Sequence, residues 1–209
     1  MTVTDIREYK VKGRFEIYLN DEFAFLLYKG ELKKYNIIVG QELSAEIYTD
    51  IIDNVLIKRG KKRALNLLLK GDITEKKLRE KLIDNLYPKE CIDEIISYVK
   101  GYNYIDDSRY ARNYIGMNSS VKSRQIIRNK LLEKGISKEI IDEQIRLYYE
   151  EDELNAGMEE NLLKKLLQKK LKGNYDISYE ERQKIYASLY RKGFSINQIE
   201  KVYDEYICT

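Results

Sequence analysis

One hydrophobic pattern, repeated at two fixed offsets, constrains this chain more than any other feature. Leu78, Leu82, Ile92 and Ile96 fall on Ile127, Leu131, Ile141 and Ile145 at a constant offset of 49, and those fall on Ile185, Leu189, Ile199 and Tyr203 at a constant offset of 58. Every position is hydrophobic, and the spacing of four within each pair keeps both members on one helical face. One such unit alone exposes too much apolar surface, so stacked repeats are the expected way to bury it.

The join inside the unit repeats as well: Lys134-Gly135-Ile136-Ser137 matches Lys192-Gly193-Phe194-Ser195. Glycine can take the left-handed conformation that ends one helix, and serine can cap the next. Ile136 with Ile141, and Phe194 with Ile199, then have the spacing of a hydrophobic staple. The first copy reads Asn85-Leu86-Tyr87-Pro88, where proline suits the first helical position. Leading helices are expected over 61–70 before Gly71, over 106–117, and over 154–171 before Gly173. The expectation is three three-helix repeats spanning 58–105, 106–151 and 152–209.

Residues 1–57 read differently. Phe15, Ile17 and Leu19 alternate with polar positions, Asn20-Asp21 makes a turn, and Phe23, Phe25 and Leu27 alternate again, which predicts a β-hairpin. A short helix over 31–35 and a last extended stretch over 44–48 complete the segment. The fold expected is therefore mainly α: three tandem three-helix repeats in an elongated curved array, preceded by a small β-hairpin-containing N-terminal segment.

Composition removes several classes of function. The chain has no histidine, which deletes the commonest general base and the usual zinc ligand. It also lacks a P-loop and a metal-binding quartet, so no enzyme, cofactor or metal is expected. Its cysteines, Cys91 and Cys208, are far apart and fit a reducing compartment. No leader-like start and no apolar run of membrane length is seen, so a soluble cytoplasmic protein is expected. The net charge of +3 hides a division: residues 58–135 hold 19 Lys/Arg against 10 Asp/Glu, whereas the flanking segments are each at −3. A basic middle favours a polyanion or an acidic protein surface as partner.

The run Gly101-Tyr102-Asn103-Tyr104-Ile105-Asp106-Asp107-Ser108-Arg109-Tyr110-Ala111, followed by Leu131-Leu132-Glu133-Lys134-Gly135-Ile136, resembles the central signature of the RecX recombination regulators. The resemblance spans about residues 60–209 by repeat pattern. Where that family commonly carries glycine, often Gly-Pro, before the second helix of its middle repeat, this chain has Val121-Lys122-Ser123-Arg124. The resemblance implies a non-catalytic monomer that lies along the RecA–DNA filament and modulates, in the inhibitory sense, its growth, ATP hydrolysis and strand exchange. RecA would be the partner, with DNA contacted alongside it.

Candidate contact residues are the basic clusters. Lys58, Arg59, Lys61, Lys62 and Arg63 form the densest, at what the sequence presents as a helix start poorly matched to its own dipole. Arg109, Arg112, Lys122, Arg124, Arg128 and Lys130 form a second set, with Arg124 and Arg128 one turn apart. A third, Lys164, Lys165, Lys169, Lys170 and Lys172, follows Glu159 and Glu160 and reads as a solvated face. Asp106-Asp107 reads as a helix cap rather than a metal pair, because adjacent helical side chains diverge. The nineteen tyrosines, such as Tyr18, Tyr28, Tyr186, Tyr190 and Tyr203, are expected to pack more often than to stack on bases. Two other readings remain: a RecA-independent nucleic-acid-binding helical-repeat protein and, less favoured, a nuclease built on Asp72, Asp106 and Asp107.

Overall fold

A computed structural model describes residues 1–151, 153–155, 157–174 and 177–207; Cys208 lies outside them. The chain divides into two compact units, Met1–Asp106 and Asp107–Thr209. It is mainly α-helical, with one small antiparallel sheet.

The first unit opens with strands β1 (Val3–Glu8), β2 (Arg14–Leu19) and β3 (Glu22–Tyr28) in the order β1-β2-β3. Asn20 and Asp21 both have positive φ (49° and 68°), the geometry that lets a two-residue turn follow the strand twist. The expected hairpin is therefore β2–β3. Strand β1 was not expected from the alternation rule. Its register shifts between Val3 and Asp5, so its buried residue Val3 and its half-buried Ile6 are not separated by a multiple of two.

After helix α1 (Lys29–Lys34), the expected extended stretch at 44–48 is instead helix α2 (Ala45–Asp50), capped by Ser44, whose Oγ accepts the Ile47 N–H at 3.3 Å. The backbone then runs through a π-helical stretch, Ile51–Ile57, into α3 (Lys58–Leu68) without a break. Position 57 thus lies inside a helix rather than at its start. Ser44 is the cap that periodicity alone did not reveal, and Ile47, Ile51 and Val55 carry the helical spacing onward.

Helices α4 (Glu75–Ile83) and α5 (Lys89–Gly101) complete this unit. Pro88 is the N-cap of α5, one place before the first helical position. Ile17, Phe25 and Leu27 of the sheet share one core with Ile51, Leu56, Leu78, Leu82 and Ile95.

The second unit contains α6 (Asp107–Asn118), α7 (Arg124–Glu133), α8 (Lys138–Arg146), a π-helical turn Leu147–Glu151, α9 (Met158–Leu171), α10 (Tyr179–Tyr190) and α11 (Ile196–Ile207). Each triple has its own core, one around Ile127, Leu131 and Ile141, the other around Leu163, Leu189 and Ile199. The repeated joins do what their residues dictate. Gly135 and Gly193 have φ of 84° and 85°, and Ser137 and Ser195 accept the Ile140 and Gln198 amides. Ile185 is only half-buried and Tyr186 occupies the deeper place, while Tyr190 is 61% exposed rather than packed. Among the described residues no helix is long and apolar enough to cross a membrane.

Candidate partner-binding surface

The first basic cluster lies in the interior of the long helix that starts at Ala45, so no helix N-terminus opposes its charge. The dipole mismatch read from the sequence is therefore corrected: α3 needs no partner to compensate its start. Within the cluster the side chains separate into two groups.

Arg59 turns inward. Its Nη1 donates to both carboxylate oxygens of Glu31 at 3.1 and 2.8 Å, and its Nη2 donates to the Leu26 carbonyl at 2.7 Å. The guanidinium also lies over Tyr28, 4.6 Å from the ring centroid. Arg59 thus fastens α3 to β3 and α1. Lys61 pairs with Glu94 at 3.0 Å and covers the Tyr98 ring. Lys58, Lys62 and Arg63 are exposed, and among the described residues they make no ion pair.

The second set divides similarly. Arg128 pairs with Asp142, and Lys122 donates to Asn118 Oδ1 at 2.6 Å. Arg112 donates to Gln144 Oε1 at 3.2 Å, and Arg109 is half-buried and engaged within the fold. Lys130 pairs with Glu133 at 2.7 Å on open surface, a contact worth little in water.

Arg124 belongs to a junction between the two triples of the second unit. Its backbone N–H, in the first turn of α7, donates to Glu159 Oε1 at 2.8 Å, and its Nε lies 3.0 Å from Glu159 Oε2. Gln198 of α11 donates to that same Oε2 at 3.3 Å. Ser123 caps α7 by accepting the Ile126 N–H and donates its own hydroxyl to the Lys192 carbonyl at 2.6 Å. The chain thus uses Ser123-Arg124, where the RecX pattern commonly has glycine or Gly-Pro, to tie α7 to α9, α10 and α11.

Gly193 completes the junction. A Cβ there would stand 2.5 Å from Ser123 Oγ and 3.2 Å from Gln125 Cβ, on a backbone already at φ +85°. Gly193→Ala is expected to destabilise the second unit by about 2 kcal/mol, combining left-handed strain with crowding. Urea denaturation would measure it, and an unchanged midpoint would contradict this packing.

In the third set, Lys164 contacts Glu160 and Glu205 at 2.7 and 3.1 Å. The carboxylates Asp72, Asp106 and Asp107 are engaged within the fold, and among the described residues no cluster of three or more acidic or cysteine side chains is arranged for a metal. Burial raises the Cys91 thiol to about 12, leaving it protonated.

Residues 106–144 match the model for the second three-helix domain of RecX, and residues 159–203 match the model for the third. The chain is 30% identical to the regulatory protein RecX of Clostridioides difficile, with 98% of each chain covered. The chain belongs to the RecX family. The RecX of Caldanaerobacter subterraneus subsp. tengcongensis is 29% identical over 96% of this chain and 98% of that one. Among solved structures, a crystal structure of regulatory protein RecX has a TM-score of 0.65 at 27% identity, covering 97% of this chain and 98% of the other. RecX from Lactobacillus salivarius has a TM-score of 0.63 at 28% identity, covering 71% and 95%. These relatives are regulatory proteins by name, and RecX three-helix domains account for both triples of the second unit.

Proposed function

We propose that this chain regulates the RecA recombinase: it binds the RecA–DNA filament and restrains filament growth, ATP hydrolysis and strand exchange, catalysing no reaction itself. The observation that carries the reading is the RecX signature, Gly101 to Ala111 followed by Leu131 to Ile136, in a chain that matches RecX regulators over nearly its whole length. The protein acts as a cytoplasmic monomer, with an N-terminal segment (1–57) and repeats over 58–105, 106–151 and 152–209. The contact surface begins at Lys58, Lys62 and Arg63, whose exposed charge suits an acidic protein face or phosphate.

The test is RecA's single-strand-dependent ATP hydrolysis with substoichiometric amounts of this protein. The parent is expected to lower the rate, and K58A/K62A/R63A to weaken that effect about tenfold or more, as the loss of two or three charge contacts would. Arg59, Lys61, Arg124 and Arg128 are left intact because their ion pairs belong to the fold. A folded parent with no effect on RecA would sink the reading. Tight, salt-dependent binding to bare DNA in that case would favour the RecA-independent nucleic-acid binder.

A further inference from the structure

The two triples of the second unit are cored separately. Helices α6 to α8 close around Ile115, Ile127, Leu131 and Ile141, and α9 to α11 around Leu163, Leu167, Leu189 and Phe194. Among the described residues, Met158 is the one hydrophobic side chain of the rear triple that packs on the middle core, and it is half-buried. Parting the two triples would therefore leave both cores closed.

What joins them is polar. Ser123 and Glu159 are 1% and 8% exposed, and both lie in the joint. The Glu159 carboxylate, in the first turn of α9, takes the Arg124 N–H, the Arg124 guanidinium and the Gln198 amide of α11. The Ser123 hydroxyl donates to the Lys192 carbonyl just past the end of α10. Gly193 lets that end of the chain close on Ser123, Gln125 and Ile126 with no side chain between. The starts of α9 and α11 and the end of α10 thus all meet the start of α7. Hydrogen bonds of this kind exchange for bonds to water when they part, whereas an apolar interface would have to expose its area.

We propose that this joint is a latch: when the Glu159 and Ser123 contacts open, the rear triple undocks from the middle triple as an intact body, so that the two take more than one relative orientation. A partner that grips both triples selects among these orientations through its own contacts. The device goes beyond the regulatory reading above and does not depend on RecA.

The experiment is a distance distribution by double electron–electron resonance on the full chain carrying Cys208→Ser. Spin labels are placed at the exposed positions K130C on α7 and K184C on α10, and the buried Cys91 stays unlabelled. The parent is expected to give one main distance. S123A/E159A is expected to raise the ratio of undocked to docked molecules about a hundredfold, as losing one partner of a buried ion pair would, and so to add a broad second population. A second pair, K169C and K184C, lies within the rear triple and should keep its single distance in the same variant. Ser137→Ala, which removes the cap of α8 away from the joint, should leave the α7–α10 distribution as in the parent. An unchanged α7–α10 distribution in S123A/E159A would overturn the latch, as would equal broadening in Ser137→Ala. Broadening of the K169C–K184C distance would also overturn it, since the rear triple would then be melting rather than undocking.

Discussion

Arg59→Ala is expected to destabilise the first unit by about 2–4 kcal/mol, a range set by removing one partner of a largely buried ion pair. The substitution deletes three hydrogen bonds and leaves the Leu26 carbonyl and the Glu31 carboxylate without their donor. Glu31 also accepts the Tyr28 N–H at 2.7 Å, so an unpaired charge would sit within the cap of α1. The Arg59 and Glu31 side chains are 21% and 23% exposed, which places the effect below that of a fully buried pair. Arg59→Lys should recover part of the loss, because an ammonium group keeps the charge but cannot reach the carboxylate and the carbonyl with a fixed fork. Urea denaturation measures the total, and hydrogen exchange should show the extra opening at β3 and α1. Full stability in Arg59→Ala would mean that the sheet needs no fastening to α3.

Glu159→Ala should have a comparable effect in the second unit, about 2–4 kcal/mol. The Glu159 side chain is 10% exposed, and its two oxygens serve the Arg124 amide, the Arg124 guanidinium and the Gln198 amide together. Its removal leaves the Arg124 guanidinium over the Tyr149 ring with the exposed Glu150 carboxylate 3.9 Å away, and an orphan N–H in the first turn of α7. Glu159→Gln keeps one acceptor oxygen and removes the charge, so it should fall between the parent and alanine. Opening should concentrate at the α7 N-terminus and α11, leaving the first unit unaffected. If exchange rose evenly across the second unit, the junction would not be the local latch described.

These two residues also mark how much could be read from the sequence. The helices, their joins and the hairpin were legible because each is encoded locally: period 3.6, glycine followed three places on by a capped turn, period 2 around Asn20-Asp21. Strand β1 was not, since a bulge breaks its period. Helix α2 was missed, although Ser44 and the spacing of Ile47, Ile51 and Val55 carried the signal.

The charged surface was legible as a total and illegible as a map. Lys61, Arg59, Arg124 and Arg128 looked equivalent to Lys58 and Lys62 in the sequence. They differ only because Glu94, Glu31, Glu159 and Asp142, some of them dozens of residues away, meet them in the fold. Glu159 read as one of a solvated pair for the same reason. The Tyr102–Tyr104 stack depends on the backbone turn at Asn103, which no periodicity reports.

The uninterrupted helical backbone from Ala45 to Leu68 bears on how such a protein can be inherited in pieces. In the second unit, α6 to α8 end with the π-helical turn Leu147–Glu151 and α9 begins at Met158, so a genetic crossover between them would leave both triples of helices whole. At the front no such seam exists. A crossover at position 57 would split a helix, discard its Ser44 cap and strip Ile51, Ile52, Leu56 and Ile57 from the core they fill. The sheet and the first repeat are therefore expected to descend together.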